Sequence, residues 1–228
     1  MLRIGVRLPG RFEDSGEYLA DARALDAAGA DSIWLDDDGS DPWLLMGGIA
    51  AVTGRARLVA PVSPADLPAS ARLSTRIATL GRLSRGRGAL CVMGCGPEAG
   101  NDDARALLEL IRASRGTPAI VELSSPDDMR AVASLADGLV GIEASPDARR
   151  QAYECILRLR REAGVTAPFE LWLRLDTPED REGWKRALLE AEAAGATGVL
   201  VPAGPRLLDI LRNPDEEEDR SDLRLAQG

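Results

Sequence analysis

The chain has 228 residues, 45% of them hydrophobic and 29% charged, with a formal charge of −9 and no histidine. Its length supports one large core or two small ones, and its negative balance leaves no basic stripe of the kind that neutralises nucleic-acid phosphates. Without histidine there is no Ser-His-Asp or Cys-His centre, no histidine metal site and no usual neutral-pH general base, so acid–base work falls to carboxylates, tyrosine, water or a cofactor with its own reactivity.

The first element is already a strand, Arg3–Leu8, with no signal peptide before it and no membrane-length apolar run after it. The expectation is a cytoplasmic protein that takes a small-molecule substrate, with no nucleic acid and no membrane as partner. Cys91, Cys95 and Cys155 have neither metal-like nor redox spacing and read as buried thiols.

Strands and helices then alternate. Gly16–Ala28 predicts a helix with Leu19, Ala22, Leu25 and Ala28 on one face, stopped by Gly29 before the strand Asp31–Asp36. Asp41 caps a helix with Pro42 in its first turn, running to about Val52. Ala56–Pro61 is strand three, and Pro68–Leu83 is a helix with Leu73, Ile77, Leu80 and Leu83 in a stripe. Ala89–Gly94 is strand four, Asp102–Ser114 a helix and Pro118–Leu123 strand five. Ser125 caps a helix over Pro126–Ala136, Gly138–Ile142 is strand six and Pro146–Ala163 a long helix. Phe169–Asp176 is strand seven. Thr177 with Pro178 opens a helix to Ala194, Gly198–Pro202 is strand eight and Pro205–Leu211 the last helix.

One joint recurs: Ala27-Ala28-Gly29-Ala30-Asp31, Ala193-Ala194-Gly195-Ala196-Thr197 and Leu135-Ala136-Asp137-Gly138 each lead from a helix into an apolar strand, with glycine at or just past the helix end. Eight βα units with short joints favour an α/β fold of the (β/α)8 TIM-like barrel type over a doubly wound open sheet. Residues 1–212 read as a single barrel and 213–228 as an acidic tail, where Asn213–Gly228 holds six acids against two arginines. That tail is a solvated extension or docks on an arginine-rich face of a partner subunit.

Strand alternation gives the barrel an unusual filling. Arg3 and Arg7 share one face of the first strand, Trp34 goes with Asp36, Glu122 with Ser124, and Glu170, Trp172, Arg174 and Asp176 oppose Phe169, Leu171, Leu173 and Leu175. The face toward the helices must be apolar. Arg7, Asp36, Glu122 and Arg174 should therefore meet inside the barrel as neutralising pairs. They serve either as a satisfied polar filling or as a site at the C-terminal mouth.

The densest stretch is Ser84–Gly96, a basic glycine-rich turn, a short apolar run and a closing Gly94-Cys95-Gly96. By itself it is a tight helix–strand–loop passage, or a place where backbone approaches a ligand closely.

In order and spacing, Ala27–Asp36, Asp41-Pro42, Ala51–Leu58, Ala78-Thr79-Leu80, Leu83–Arg87 and Leu90–Gly96 resemble the bacterial luciferase-like superfamily of flavin- or deazaflavin-dependent oxidoreductases, monooxygenases among them. The resemblance implies a TIM-like barrel, often dimeric, binding FMN or a deazaflavin coenzyme at its mouth. It implies Asp36 beside the ring, Ala60 to Ser63 lining it, Gly94, Cys95 and Gly96 passing close to it, and Ser124 and Ser125 at the phosphate. A helix N-terminus independently favours an anion at Ser125, which is equally an ordinary N-cap. Asp36 and Glu122 are the candidate orienting or proton-transfer groups, with Arg174 in the cofactor set. The chain departs from the family twice: Asp37 stands where members commonly have histidine, and Gly96 leads through Pro97–Gly100 almost directly into a helix where members carry a long covering insertion. An enzyme and a non-catalytic flavin-binding or structural barrel derived from one are the two readings.

Overall fold

Aspartates open three of the helices, and left-handed glycines close two of those three. In the computed structural model, which describes residues 2–95, 101–114, 116–123, 132–141 and 146–212, the strands are β1 (Arg3–Leu8), β2 (Ser32–Leu35), β3 (Arg57–Val62), β4 (Gly88–Cys95), β5 (Ala119–Leu123), β6 (Gly138–Val140), β7 (Glu170–Arg174) and β8 (Gly198–Pro202). The helices among the described residues are α1 (Ser15–Ala27), α2 (Pro42–Val52), α3 (Ser70–Leu83), α4 (Asn101–Ala113), α5 (Pro146–Glu162), α6 (Arg181–Ala193) and α7 (Pro205–Arg212). Asp14, Asp41 and Asp180 cap α1, α2 and α6 with their carboxylates on free amides of the first turn. The Ser125-capped helix falls mostly outside the described residues. None of the described helices is long and apolar enough to cross a membrane.

All neighbouring strands pair in parallel, and β8 pairs with β1, so the sheet is a closed eight-stranded barrel. This bears out the barrel over the open sheet. The recurring joint is real: Gly29 (φ +97°) and Gly195 (φ +83°) sit in the left-handed region past α1 and α6. Each joint also ends on a polar side chain that takes an amide at the start of a strand. Asp31 accepts from Ile4 N at 2.7 Å, Asp137 from Ala119 N at 2.9 Å and Thr197 from Leu171 N at 2.8 Å. At the third joint Gly138 is the first residue of β6, as the expected strand Gly138–Ile142 has it. A Cβ there would stand 2.8 Å from Glu170, so this glycine makes room inside the barrel.

Two starts differ from expectation. A 3-10 turn, Pro64–Ala69, precedes α3, which begins at Ser70 and not at Pro68, because two prolines four residues apart remove the amides a longer helix would need. The helix expected from Thr177 begins at Arg181, because Asp180 takes Gly183 N at 2.6 Å and so fixes the first turn.

Two cores follow from the alternation. Ile33, Leu58, Leu90, Val121, Leu171 and Val199 face the helices. Inside the barrel Trp34, Val59, Ala89, Cys91, Ile120, Val140, Trp172 and Leu200 form a separate cluster. Trp34 and Trp172 meet edge to face, with centroids 5.3 Å apart. They fit because Gly5 and Gly198 lack side chains: a Cβ would lie 2.8 Å from Trp34 Nε1 at Gly5, and 2.6 Å from the Trp172 ring at Gly198. Each indole N–H is satisfied two residues back on the same face, Trp34 by Ser32 Oγ at 2.8 Å and Trp172 by Glu170 Oε2 at 2.9 Å.

Candidate functional site at the barrel mouth

The tryptophan layer divides the interior into two charged ends. At the N-terminal end Glu170 accepts from Arg3 at 2.7 Å and from Arg57 at 2.8 Å, and it also receives the Trp172 N–H. Burial alone would raise its pKa; the hydrogen bonds from Arg3 and Trp172 and the charge of Arg57 bring the carboxyl below its ordinary value. This plug closes the face that barrels use for stability.

At the C-terminal end Arg7 Nε lies 3.4 Å from Asp36 Oδ1, and Arg174 NH2 lies 2.7 Å from Glu122 Oε1. The four side chains expected to meet inside the barrel do so, as two pairs, each side chain a third exposed or less. Asp36 also feels the charges of Asp38, Arg174 and Glu122. Its pKa is raised: burial outweighs the opposing pull of Arg7, and Asp38 and Glu122 add to the rise.

Backbone geometry shapes the rest of the mouth. Val92 pairs with Val121 but Cys95 with Leu123, so β4 carries one extra residue beside Gly94. Such a bulge re-aims a strand end and is common next to active sites. Gly141 has φ +86°, and a Cβ there would touch both Arg174 and Glu122 at 3.6 Å.

The other predicted site residues are placed as follows. Ala60 is fully buried in the core between sheet and helices, so it faces away from the interior, and only the backbone of β3 there runs along the barrel. Ser63 follows β3 at the start of the 3-10 turn and donates its amide to Asp66 Oδ2 at 3.0 Å. Gly94 and Cys95 end β4, while Gly96, Ser124 and Ser125 lie outside the described residues. Of the aspartate run, Asp38 is committed elsewhere. Its Oδ1 accepts from Gly10 N at 2.7 Å, its carbonyl accepts from Arg11 Nε, and Ser40 N reaches Gly10 O at 3.0 Å. The loops after β1 and β2 are thereby stapled together. Tyr18 continues the staple by donating to Pro9 O at 2.9 Å, and burial with Asp36 and Asp38 nearby raises its pKa, so it stays a donor.

Sequence reasoning missed Arg57 as the second arginine of the plug and Asp38 as a loop staple. Arg57 carries a signal, since it shares parity with Val59 on β3. Asp38 carries none, because its partner Gly10 is known only once two loops are adjacent.

Residues 3–106 match the family model of luciferase-like monooxygenases, in the region where the sequence carries its densest resemblance to that family. None of the curated proteins matches the chain. Among solved structures, the coenzyme F420-dependent tetrahydromethanopterin reductase of Methanopyrus kandleri is similar at TM-score 0.72 and 13% identity, covering 92% of this chain and 96% of that one. A riboflavin lyase solved with modified FMN and riboflavin is similar at TM-score 0.74 and 13% identity, covering 99% and 92%. A type II Baeyer–Villiger monooxygenase component from Pseudomonas putida, in complex with FMN, is similar at TM-score 0.59 and 17% identity, covering 83% and 71%. At these identities the likeness establishes the fold.

Proposed function

We propose that the chain is a luciferase-like, flavin- or deazaflavin-dependent oxidoreductase, monooxygenases included, acting in the cytoplasm on a small organic substrate. One observation carries the reading. The open end of the barrel holds the Arg7–Asp36 and Arg174–Glu122 pairs, partly exposed, above a floor of two tryptophans. A purely structural filling would bury such charges or replace them with aliphatic layers.

The residues present fit an isoalloxazine or deazaflavin ring with an anionic tail. Trp34 and Trp172 supply an apolar, edge-to-face aromatic floor, the bulge at Gly94 offers backbone without a side chain, and Arg7 and Arg174 supply cationic donors. In this reading Gly94, Cys95 and Gly96 pass along the ring, β3 from Ala60 to Ser63 lines it with backbone, and Ser124, Ser125 and Arg174 serve its polar end. The cofactor, when bound, supplies hydride transfer or oxygen activation.

The chain's own groups then orient reactants and handle protons. Burial makes the Asp36 carboxyl hold a proton more readily than a free aspartate, and Arg7 fixes its direction. Glu122, held by Arg174, orients the polar edge of a bound ring. No histidine is needed for either task.

A second reading, a non-catalytic flavin-binding or structural barrel, is favoured by two observations. Both carboxylates already have arginine partners, and only Gly96–Gly100 joins β4 to α4, which leaves the mouth little cover. Absorbance and fluorescence titration with FMN and with a deazaflavin coenzyme separates the two. Saturable binding with reduction of the bound cofactor by a substrate supports the enzyme, and binding with no turnover supports the second reading. A homodimer is the partner state this reading carries, and sedimentation measures it.

A further inference from the structure

The loops after β1 and β2 stay bonded to each other past the ends of their strands. The strand pairing stops at Leu8 and Leu35. Beyond it Asp36 N donates to Leu8 O at 3.0 Å, Gly10 N to Asp38 Oδ1 at 2.7 Å and Ser40 N to Gly10 O at 3.0 Å, while Arg11 Nε donates to the Asp38 carbonyl. Tyr18 holds the first loop from α1 through Pro9 O. The fit is closest at Gly10, where a Cβ would lie 2.5 Å from Asp38 Oδ1 and 2.7 Å from Asp36 O. The Asp36 main chain therefore rests against the same glycine that Asp38 binds. This bears on the Arg7–Asp36 pair. At 3.4 Å that contact is longer than a charge-assisted hydrogen bond of about 2.7–2.9 Å, whereas Arg174 and Glu122 meet at 2.7 Å. Arg7 gives the Asp36 carboxyl its direction, but the carboxyl's place is set by the backbone that carries it. On the Arg7 side that backbone is pinned by Ala203 N, which donates to Arg7 O at 2.8 Å. On the Asp36 side the pin is the Gly10–Asp38 bond.

We propose that Asp38 is a positioning residue for Asp36: its bond to Gly10 fixes the main chain that presents the Asp36 carboxyl to the mouth, and its own charge stands beside that carboxyl. The inference rests on the proposed reading of the mouth for the use to which the Asp36 proton is put. Charged and titratable groups face Asp36 from each neighbouring element: Arg7 on β1, Glu122 on β5, Arg174 on β7, Tyr18 on α1 and Asp38 on its own loop. Tyr18 stays protonated and neutral. Burial is the largest influence and favours the protonated acid; Arg7 and Arg174 oppose it, while Asp38 and Glu122 act in the same sense as burial. The two acids are held differently. Glu122 is neutralised by Arg174, whereas among the described residues no ion pair takes the Asp38 carboxylate. Its anchor is a backbone amide, so its charge acts on Asp36 without an arginine to cancel it.

A carbon-13 NMR titration of the aspartate carboxyls tests this in the full chain without cofactor, with the Asp36 signal assigned by its loss in Asp36→Asn. Asp38→Asn keeps an oxygen for Gly10 N and drops the charge. Its Asp36 titration should move to lower pH while its melting temperature stays near that of the unaltered chain. Asp37→Asn removes a charge equally near in sequence but bonded to nothing on the first loop among the described residues, and should move the titration less. Gly10→Ala keeps every charge and displaces the Asp36 carbonyl, so it should shift the Asp36 carboxyl signal at constant pH. An Asp36 titration unmoved by Asp38→Asn overturns the proposal, whatever happens to the melting temperature, because Asp38 is then a structural staple only. An equal shift in Asp37→Asn also overturns it, by reducing the effect to net charge. So does a folded Gly10→Ala protein whose Asp36 signal stays in place. If Gly10→Ala does not fold, the two asparagine variants decide. Failure of the cofactor reading shows separately, as absence of saturable FMN or deazaflavin binding by the unaltered chain, and does not enter this titration.

Discussion

Glu122 on β5 and Arg174 on β7 are separated by a whole strand, yet their side chains meet at 2.7 Å above Gly141. Between them β6 ends at Val140 and is followed at once by Gly141, a residue with no side chain and a φ of +86°. Any L-residue at 141 would be strained by about 1–2 kcal/mol in that conformation, beside the two partners that its Cβ would meet at 3.6 Å. Gly141→Ala should therefore lower stability by about that amount and weaken cofactor binding, read by thermal melts and by titration of the same preparation.

Inside the barrel, Gly198 is the tightest point. Gly198→Ala puts a Cβ 2.6 Å from the Trp172 ring, with Trp34 packed behind it. The expected cost is about 3 kcal/mol, the upper part of the overpacking range, read as a fall in the urea midpoint with unchanged slope. The companion change Trp172→Leu in the same chain should recover part of the loss.

Much of this interior was legible in the sequence. The period-two pattern of β1 and β7 placed Arg3, Arg7, Glu170, Trp172 and Arg174 on one face, and Asp41-Pro42 marked the start of α2 correctly. Two parts were not legible for physical reasons. The start of α6 depends on which of Thr177 and Asp180 takes a first-turn amide, and both are good caps locally. Asp38 and Gly10 lie on different loops, so their bond depends on barrel closure. The same holds for the charge pairs: alternation says which side chains point inward, but register decides which of them touch.

Glu170 neutralises two arginines at the closed end. Glu170→Gln should cost about 3 kcal/mol, the low end for breaking a buried pair because Arg3 and Arg57 keep some solvent. The pH dependence follows from the lowered pKa. The stabilisation is complete above the ordinary carboxylate value of 4.5 and is lost as pH falls through the lower folded-state value. Acid unfolding curves of the two proteins should converge at low pH and separate above it.

Asp36 has the opposite sign. Its folded-state pKa is raised, so the ionised carboxylate opposes folding at neutral pH, and this penalty fades as pH falls through the raised value. Asp36→Asn should melt no lower than the unaltered protein at neutral pH, while losing turnover if the carboxyl moves a proton. A lower melting temperature would mean that the Arg7 contact outweighs desolvation.

The buried end of α1 gives a further prediction. Asp26 accepts from Gly54 N, Arg55 N and Ala56 N at 2.9, 3.0 and 2.6 Å, tying α1 to the entry of β3. Asp26→Ala strands these amides and should cost about 2–3 kcal/mol. Hydrogen exchange should rise first at residues 54–56.

The central claim is that the charged mouth holds a flavin or deazaflavin ring, and a binding isotherm tests it most directly. The unaltered chain and Arg174→Gln are titrated side by side with FMN and with a deazaflavin coenzyme, following cofactor fluorescence. The account predicts saturable one-to-one binding of one of the two, weakened about tenfold or more in Arg174→Gln, as loss of a charge-assisted hydrogen bond requires. No saturable binding of either cofactor by the unaltered chain, or binding that Arg174→Gln leaves unchanged, would contradict it.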